Sequence, residues 1–169
     1  MTYYSWSESP IGELLLTSDG RSLTGLYLKG QKHFPLITTD WQELPDAAPF
    51  ARTCQQLTEY FNNRRQQFNL PLSPKGTNFQ KQVWQHLSDI PFGRTISYGE
   101  LARRLGQPNA SRAVGATNGR NPISIIVPCH RVIAANGRLT GYAGGIERKH
   151  WLLQHEEPVA QLDLLYQDT

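Results

Sequence analysis

The hydrophobic period of this chain changes near residue 46, which rules out one uniform architecture. Ahead of that point, residues 3–8, 13–18 and 23–28 read as strands, and Ser9-Pro10-Ile11-Gly12 and Asp19-Gly20 between them are turn-forming. A small antiparallel sheet is the expected result. Residues 30–45 keep no period and contain Pro35 and Pro45, so a loop or irregular connection is expected there. Phe50, Cys54, Leu57 and Phe61 then recur at spacings of four, three and four, which is one stripe of a helix able to cover the sheet. Cys54 lies on that stripe and reads as packing rather than chemistry.

Pro71, Pro74 and Gly76 make residues 66–77 a linker region. The chain is thereby expected to divide into a sheet-plus-helix domain over 1–72, a mainly helical domain over 73–157 and a polar tail over 158–169. Thr77 or Asn78 caps a helix whose buried stripe is Phe79, Val83, Trp84, Leu87 and Ile90, and Pro91-Phe92-Gly93 stops it. Ser97-Tyr98-Gly99-Glu100 has the form of a capping box, in which serine and glutamate satisfy each other's free helix-end amides, so a short helix is expected over 98–105. Gly106-Gln107-Pro108 ends it, and Asn109 caps a second short helix over 110–118. This is a helix-turn-helix outline. Ala110, Ala113, Gly115 and Ala116 give the second helix a low surface around Arg112, so a cation with five donors sits where another backbone can come close.

The formal net charge is +3. Residues 1–77 carry 7 basic and 7 acidic side chains, a balance of 0, and residues 78–169 carry 10 and 7, so the whole excess lies in the helical half. A polyanion would bind there. No segment approaches the roughly 18 apolar residues of a membrane helix, and the N-terminal residues do not read as a leader, so a cytoplasmic protein without membrane contact is expected. Two cysteines make no disulfide framework, and no Cys or His spacing suggests a metal.

One of those cysteines is placed for chemistry. Residues 123–127, Ile-Ser-Ile-Ile-Val, read as a buried strand that delivers the chain into Pro128-Cys129-His130-Arg131. The neighbouring His130 and Arg131 are expected to lower the thiol's pKa and raise its thiolate fraction. Side chains adjacent in a strand point to opposite faces, so a turn or a bridging water is needed for His130 to take the thiol proton. The imidazole also needs an orienting group, and Glu156, at the end of the helical stretch 147–156, is a candidate.

Asn121-Pro122-Ile123, Pro128-Cys129-His130-Arg131-Val132-Ile133 and Gly141-Tyr142-Ala143-Gly144-Gly145, followed by Trp151-Leu152-Leu153 and Glu156, resemble the signature of the O6-alkylguanine-DNA alkyltransferases. The likeness is dense over residues 78–157 and only one of layout before them. It implies an α+β fold: a small N-terminal antiparallel sheet with a covering helix, then a mainly helical, winged-helix-like domain with a helix-turn-helix and an active-site loop. It implies irreversible, single-turnover transfer of an alkyl group from O6-alkylguanine, or O4-alkylthymine, in DNA to Cys129 after the nucleotide has been flipped out. In that scheme His130 takes the thiol proton through water, Glu156 orients it, and Asn121 braces the turn leading to the cysteine. Tyr98 helps rotate the nucleotide and donates to the leaving purine, while Arg112 fills the vacated stack. Val132 offers its carbonyl to the guanine amino group, and Tyr142, Ala143 and Gly144 wall the pocket. The partner implied is double-stranded DNA, entered from the minor groove largely without regard to sequence, by a monomer able to cluster along the duplex. No cofactor is implied.

Ala143 stands where some members have Ser, which leaves only a backbone amide for O6 and the preferred alkyl size open. The zinc-bearing modules of some relatives have no counterpart here, so neither a metal nor a transcriptional role is expected. Two other readings remain: a module that recognises alkylated DNA without repairing it, against which Cys129 stands, and a Cys-His-Glu hydrolase, which leaves Arg112 and the helix pair without a task.

Overall fold

In the computed structural model, which describes residues 1–157, strands β1 (Tyr3–Ser7), β2 (Leu14–Ser18) and β3 (Leu23–Leu28) form an antiparallel meander. The 30–45 segment is not wholly irregular. Gln42–Glu43 (β4) pairs parallel to β1, so the sheet is mixed and four-stranded, in the order β3-β2-β1-β4. Amides of Gln42 and Leu44 donate to the carbonyls of Thr2 and Tyr4 at 2.9 and 3.0 Å, which secures this short edge. Leu14 and Leu16 enter the main core, while Leu15, paired in register with Trp6 and Tyr27, is fully buried outside it.

The covering helix α1 (Phe50–Phe61) buries Phe50, Thr53, Gln56, Leu57 and Tyr60, a stripe turned from the expected one; Cys54 and Phe61 are only half-buried. Its polar members are buried because each finds a partner. Thr53 donates to the Pro49 carbonyl at 2.9 Å, and Gln56 exchanges two hydrogen bonds with the Asn69 backbone at 2.9 and 3.0 Å. The segment after α1 is tied down rather than free: Leu23 donates to Pro71 at 2.8 Å and accepts from Ser73 at 2.9 Å.

Helix α2 (Asn78–Leu87) follows, with Val83, Trp84 and Leu87 buried as its stripe predicts. The reciprocal capping box lies here, between Thr77 and Gln80, and not at Ser97. Ser97 does cap α3 (Tyr98–Arg104), but the Glu100 carboxylate turns to Arg103 and Arg104, at 2.7 and 3.3 Å, instead of back to the helix end. The second helix of the pair, α4 (Ser111–Gly119), starts one residue later than expected; Ala110 occupies its N-cap and no side chain caps it. Trp84 Nε1 donates to the Thr117 carbonyl at 3.0 Å and locks α2 against α4. Strands β5 (Ile96–Ser97) and β6 (Val132–Ile133) form a parallel pair that no alternation announces, and α5 (Ile146–Glu156) closes the described chain.

One hydrophobic cluster runs through both halves, from Leu14, Leu26 and Tyr60 to Trp84, Leu101, Val132 and Leu152. Among the described residues no helix is long and apolar enough to cross a membrane. The tail expected over 158–169 lies outside them. Because Thr77 both accepts from Gln80 and frees its own amide for the Gln80 side chain, Thr77→Ala is expected to cost about 1 kcal/mol. Urea unfolding checks this: the midpoint falls with an unchanged slope, and an unchanged midpoint contradicts it.

Candidate active site

The run 123–127 is buried throughout, as expected, but it is a turn and not a strand. Asn121 is the reason. Its Nδ2 donates to the Val127 and Ile123 carbonyls at 2.7 and 3.3 Å, and its Oδ1 accepts from the Ile123 amide at 3.0 Å, so one side chain satisfies backbone groups that a strand would have paired with a neighbour. Ile125 is forced to φ +72°, the left-handed region that a β-branched residue disfavours by about 1–3 kcal/mol. Only Ile123 pairs with the sheet: Leu26 donates to Pro122 at 2.8 Å and accepts from Ser124 at 3.0 Å. The edge of β3 thus holds the segment that leads into the cysteine.

Cys129, His130 and Arg131 form a single 3-10 turn, the geometry that lets neighbouring side chains diverge without opposing one another. His130 is fully buried, and its Nε2 lies 2.8 Å from Glu156 Oε2. A carboxylate only accepts, so Nε2 carries the proton and Nδ1 presents a lone pair. Among the described residues Nδ1 has no hydrogen-bond partner. Tyr142 meets His130 edge-on, 6.5 Å between ring centres, and its buried hydroxyl is likewise without one. Glu156 also receives Arg131, through Nε at 2.7 Å and Nη2 at 3.0 Å, and the Tyr60 hydroxyl at 2.6 Å.

Electrostatics follow from burial. Burial alone would raise the Glu156 carboxyl, but the charges and hydrogen bonds of His130 and Arg131 outweigh it and hold the group well below the usual carboxylate range. Burial pushes the His130 imidazole down against the pull of Glu156, so it rests neutral. The expected lowering of the thiol is not found. Burial pushes Cys129 up, opposed by the Asn121 amide and the Lys149 ammonium rather than by its sequence neighbours, because Arg131 is turned away to Glu156 and to the Ile90 carbonyl at 2.6 Å. Nor does the sulfur sit in an open cleft: Cys129 is 3% exposed. Two cavities, of about 970 and 510 Å³, flank Phe92 on the side of Glu156 and Arg131, and Cys129 lines neither.

Of the other residues singled out in the sequence, Arg112 and Ala113 stand exposed on α4, with Ala110 and Gly115 half-buried. A side chain at Gly115 would meet the Tyr98 ring, its Cβ 3.6 Å away. The Tyr98 hydroxyl donates to the Thr140 carbonyl at 3.0 Å, across to the loop that carries Tyr142, Ala143 and Gly144. Gly144 has no room for a Cβ, which would lie 2.5 Å from both Leu28 and Tyr142. Val132, expected to offer its carbonyl to a ligand, already accepts from Lys149 Nζ at 2.6 Å. Lys149 and Tyr60 escaped the sequence reading. Lys149 is fully buried, bonds Thr140 at 2.8 Å as well, and burial lowers its ammonium to about 8. Nothing in a helix of mixed charge marks it beforehand; Tyr60 sits beside the expected stripe with its partner 96 residues away. Among the described residues no cluster of three or more His, Cys, Asp or Glu side chains is arranged to hold a metal ion.

Family models described as "6-O-methylguanine DNA methyltransferase, ribonuclease-like domain" and "6-O-methylguanine DNA methyltransferase, DNA binding domain" match residues 2–74 and 78–158. The chain belongs to the 6-O-methylguanine DNA methyltransferase family. A methylated-DNA–protein-cysteine methyltransferase of Mycobacterium tuberculosis is 48% identical over 97% of this chain and 98% of its own length. One of Methanosarcina acetivorans is 48% identical over 91% of this chain and 97% of its own. The crystal structure of the M. tuberculosis O6-methylguanine methyltransferase superposes with a TM-score of 0.85 at 48% identity, covering 93% of each chain. That of M. tuberculosis OGT in complex with DNA gives 0.85 at 48% identity, covering 92% of each.

In this methyltransferase-family chain the carboxylate hub is also a stability element. A carboxyl lowered in the folded state stabilises fully above its unfolded pKa of roughly 4.3, and that contribution is lost as pH falls towards the depressed folded value. Glu156→Gln leaves the Arg131 guanidinium buried with its charge uncompensated, so it is expected to cost roughly 3–5 kcal/mol at pH 7. Denaturant unfolding across pH checks both parts: the gap to the unsubstituted protein narrows below about pH 4, and a pH-independent gap contradicts the assignment of the low carboxyl to Glu156.

Proposed function

We propose that the Cys129 sulfur is the alkyl acceptor and that the unpartnered His130 Nδ1 is the base that receives its proton. Members of this family move an alkyl group from O6-alkylguanine in DNA to one of their own cysteines, once per molecule, and this chain is such a DNA-repair alkyltransferase. The observation that supports Cys129 is the hydrogen-bond line Glu156–His130, which ends in a bare, buried nitrogen one residue from the thiol.

The resting pair is a neutral thiol beside a neutral imidazole. As the thiol proton passes to Nδ1 through a bridging water, imidazolium forms against the Glu156 carboxylate, whose charge stabilises it. The sulfur lone pair then attacks the alkyl carbon in line with the carbon–oxygen bond. That bond breaks with its electrons going to guanine O6, and the Tyr98 hydroxyl turns from the Thr140 carbonyl to donate to the departing base. Burial holds the Tyr98 phenol protonated, as a donor must be. The product is a thioether, which has no carbonyl for water to attack, so the cysteine is not regenerated. Raising the thiol by burial has a use here: the nucleophile stays protonated until a substrate is seated.

An alkyl carbon within a base pair cannot be approached in line, so the nucleotide is flipped at a cost of a few kcal/mol. Arg112 on the exposed low surface of α4 fills the space left in the stack, and Asn121 supports the turn that carries the cysteine. Val132, Tyr142, Ala143 and Gly144 wall the pocket, with the Val132 carbonyl offered to the guanine amino group. The small side chains around Arg112 favour entry from the minor groove, and phosphate contacts make binding largely independent of sequence. A monomer carries the full set of groups, and copies can line up along a duplex. A nucleophilic thiol lasts only where it stays reduced, which favours the cytoplasm.

Incubation with duplex DNA containing O6-methylguanine, followed by mass analysis of the peptide around residue 129, is expected to show one added methyl group per protein. Cys129→Ser removes the transfer and keeps DNA affinity; methylation elsewhere, or equal loss of both, contradicts the acceptor assignment. Arg112→Ala is expected to slow repair of duplex by roughly tenfold or more while sparing the free alkylguanine base, since only the duplex requires flipping. Equal losses on the two substrates contradict the wedge role.

A further inference from the structure

Tyr60 lies on α1, in the part of the chain matched by the ribonuclease-like model, yet its hydroxyl reaches into the hydrogen-bond line that ends at His130 Nδ1. It is fully buried, and it donates to Glu156 Oε2 at 2.6 Å. That is the same oxygen that takes His130 Nε2 at 2.8 Å and Arg131 Nη2 at 3.0 Å, while Arg131 Nε serves Oε1 at 2.7 Å. We infer that Tyr60 is a positioning residue for the thiol-to-imidazole proton transfer, and that through it the N-terminal half sets the basicity of His130. This rests on the reading of His130 as the base.

Donors that share one carboxylate oxygen divide its charge. Each hydrogen bond Tyr60 makes to Oε2 reduces the pull of that oxygen on the imidazole N–H, and with it the stabilisation of imidazolium. The remaining groups facing the hub leave this balance to Tyr60. His155 packs its ring 4.9 Å from that of Tyr60, and its Nε2 lies 2.8 Å from the Tyr60 carbonyl rather than from Glu156. Tyr142 stands edge-on to His130 on the other side, and Lys149 is held by the Val132 and Thr140 carbonyls near Cys129. Arg131 is fixed by both carboxylate oxygens and the Ile90 carbonyl. Phe61, Phe68 and Phe92 pack around the phenol, with ring centres 5.2, 5.5 and 6.2 Å away, so the hydroxyl has no solvent to turn to. Burial, and then the adjoining carboxylate, raise its pKa, so it remains a donor throughout the working range.

Tyr60→Phe keeps the ring packing and removes one donor from Oε2. The His130 pKa is then expected to rise by roughly half a unit to one unit, and the acid limb of the single-turnover transfer rate moves to higher pH by the same amount. DNA affinity stays unchanged. Replacing Tyr60 with 3-fluorotyrosine, a stronger donor of nearly the same size, is expected to move both quantities the other way, and it carries the test if the phenylalanine variant does not fold. The His130 titration is read by NMR of ring-labelled histidine, which needs no activity. Opposite shifts in the two variants support the inference. An unmoved titration and an unmoved profile, whether or not stability falls, overturn it and leave Tyr60 a packing residue. Loss of methyl transfer in the unsubstituted protein would instead refute the alkyltransferase reading.

Discussion

A buried carboxylate with four donors around it is what the rest of this molecule is arranged to permit. Glu156 ends α5, Arg131 and His130 come from the 3-10 turn, and Tyr60 comes from α1, so three separate parts of the chain converge on two oxygens. A charge this deep is tolerated only when it is paired and its remaining lone pairs are satisfied. Arg131 supplies the pairing. The imidazole and the phenol use what is left, and the imidazole is thereby held with one nitrogen protonated and the other bare.

The backbone supports this from the opposite direction. The β3 edge makes hydrogen bonds with the 71–73 segment at Leu23 and with the 122–124 segment at Leu26, which joins the sheet to the turn ahead of Cys129. Asn121 then replaces strand pairing with side-chain hydrogen bonds, and the strain at Ile125 is the cost of aiming the chain into the 3-10 turn. On the far side Lys149 and the Tyr98 hydroxyl converge on one carbonyl, that of Thr140, and hold the loop bearing Tyr142 in place. The closed sulfur and the neutral imidazole are consequences of the same packing: burial raises one group and lowers the other.

Local structure was readable from the residues alone. Turn formers mark the ends of β1, β2 and β3, and the stripe of α2 identifies Val83, Trp84 and Leu87 because helical spacing and burial coincide there. The string from Pro128 to Ile133 singles out Cys129 and His130, and Glu156 is where the resemblance places it. What escaped was set by partners distant in sequence. Tyr60 is buried by a carboxylate on α5, Lys149 by two loop carbonyls, and β4 by an edge already formed, none of which leaves a periodic trace. The 123–127 run misleads for a physical reason: a continuous apolar stretch signals burial, and burial is compatible with a turn when an asparagine side chain satisfies the backbone. Arg131 misleads similarly, since adjacency in sequence carries no direction, and its guanidinium points at Glu156.

The central claim is that Glu156 fixes the tautomer of His130 so that Nδ1 is the free base. Nitrogen NMR of protein labelled in its histidine rings measures this directly at neutral pH. A neutral imidazole with its proton on Nε2 and an unprotonated Nδ1 is the predicted result; a proton on Nδ1, alone or in an imidazolium, would contradict it.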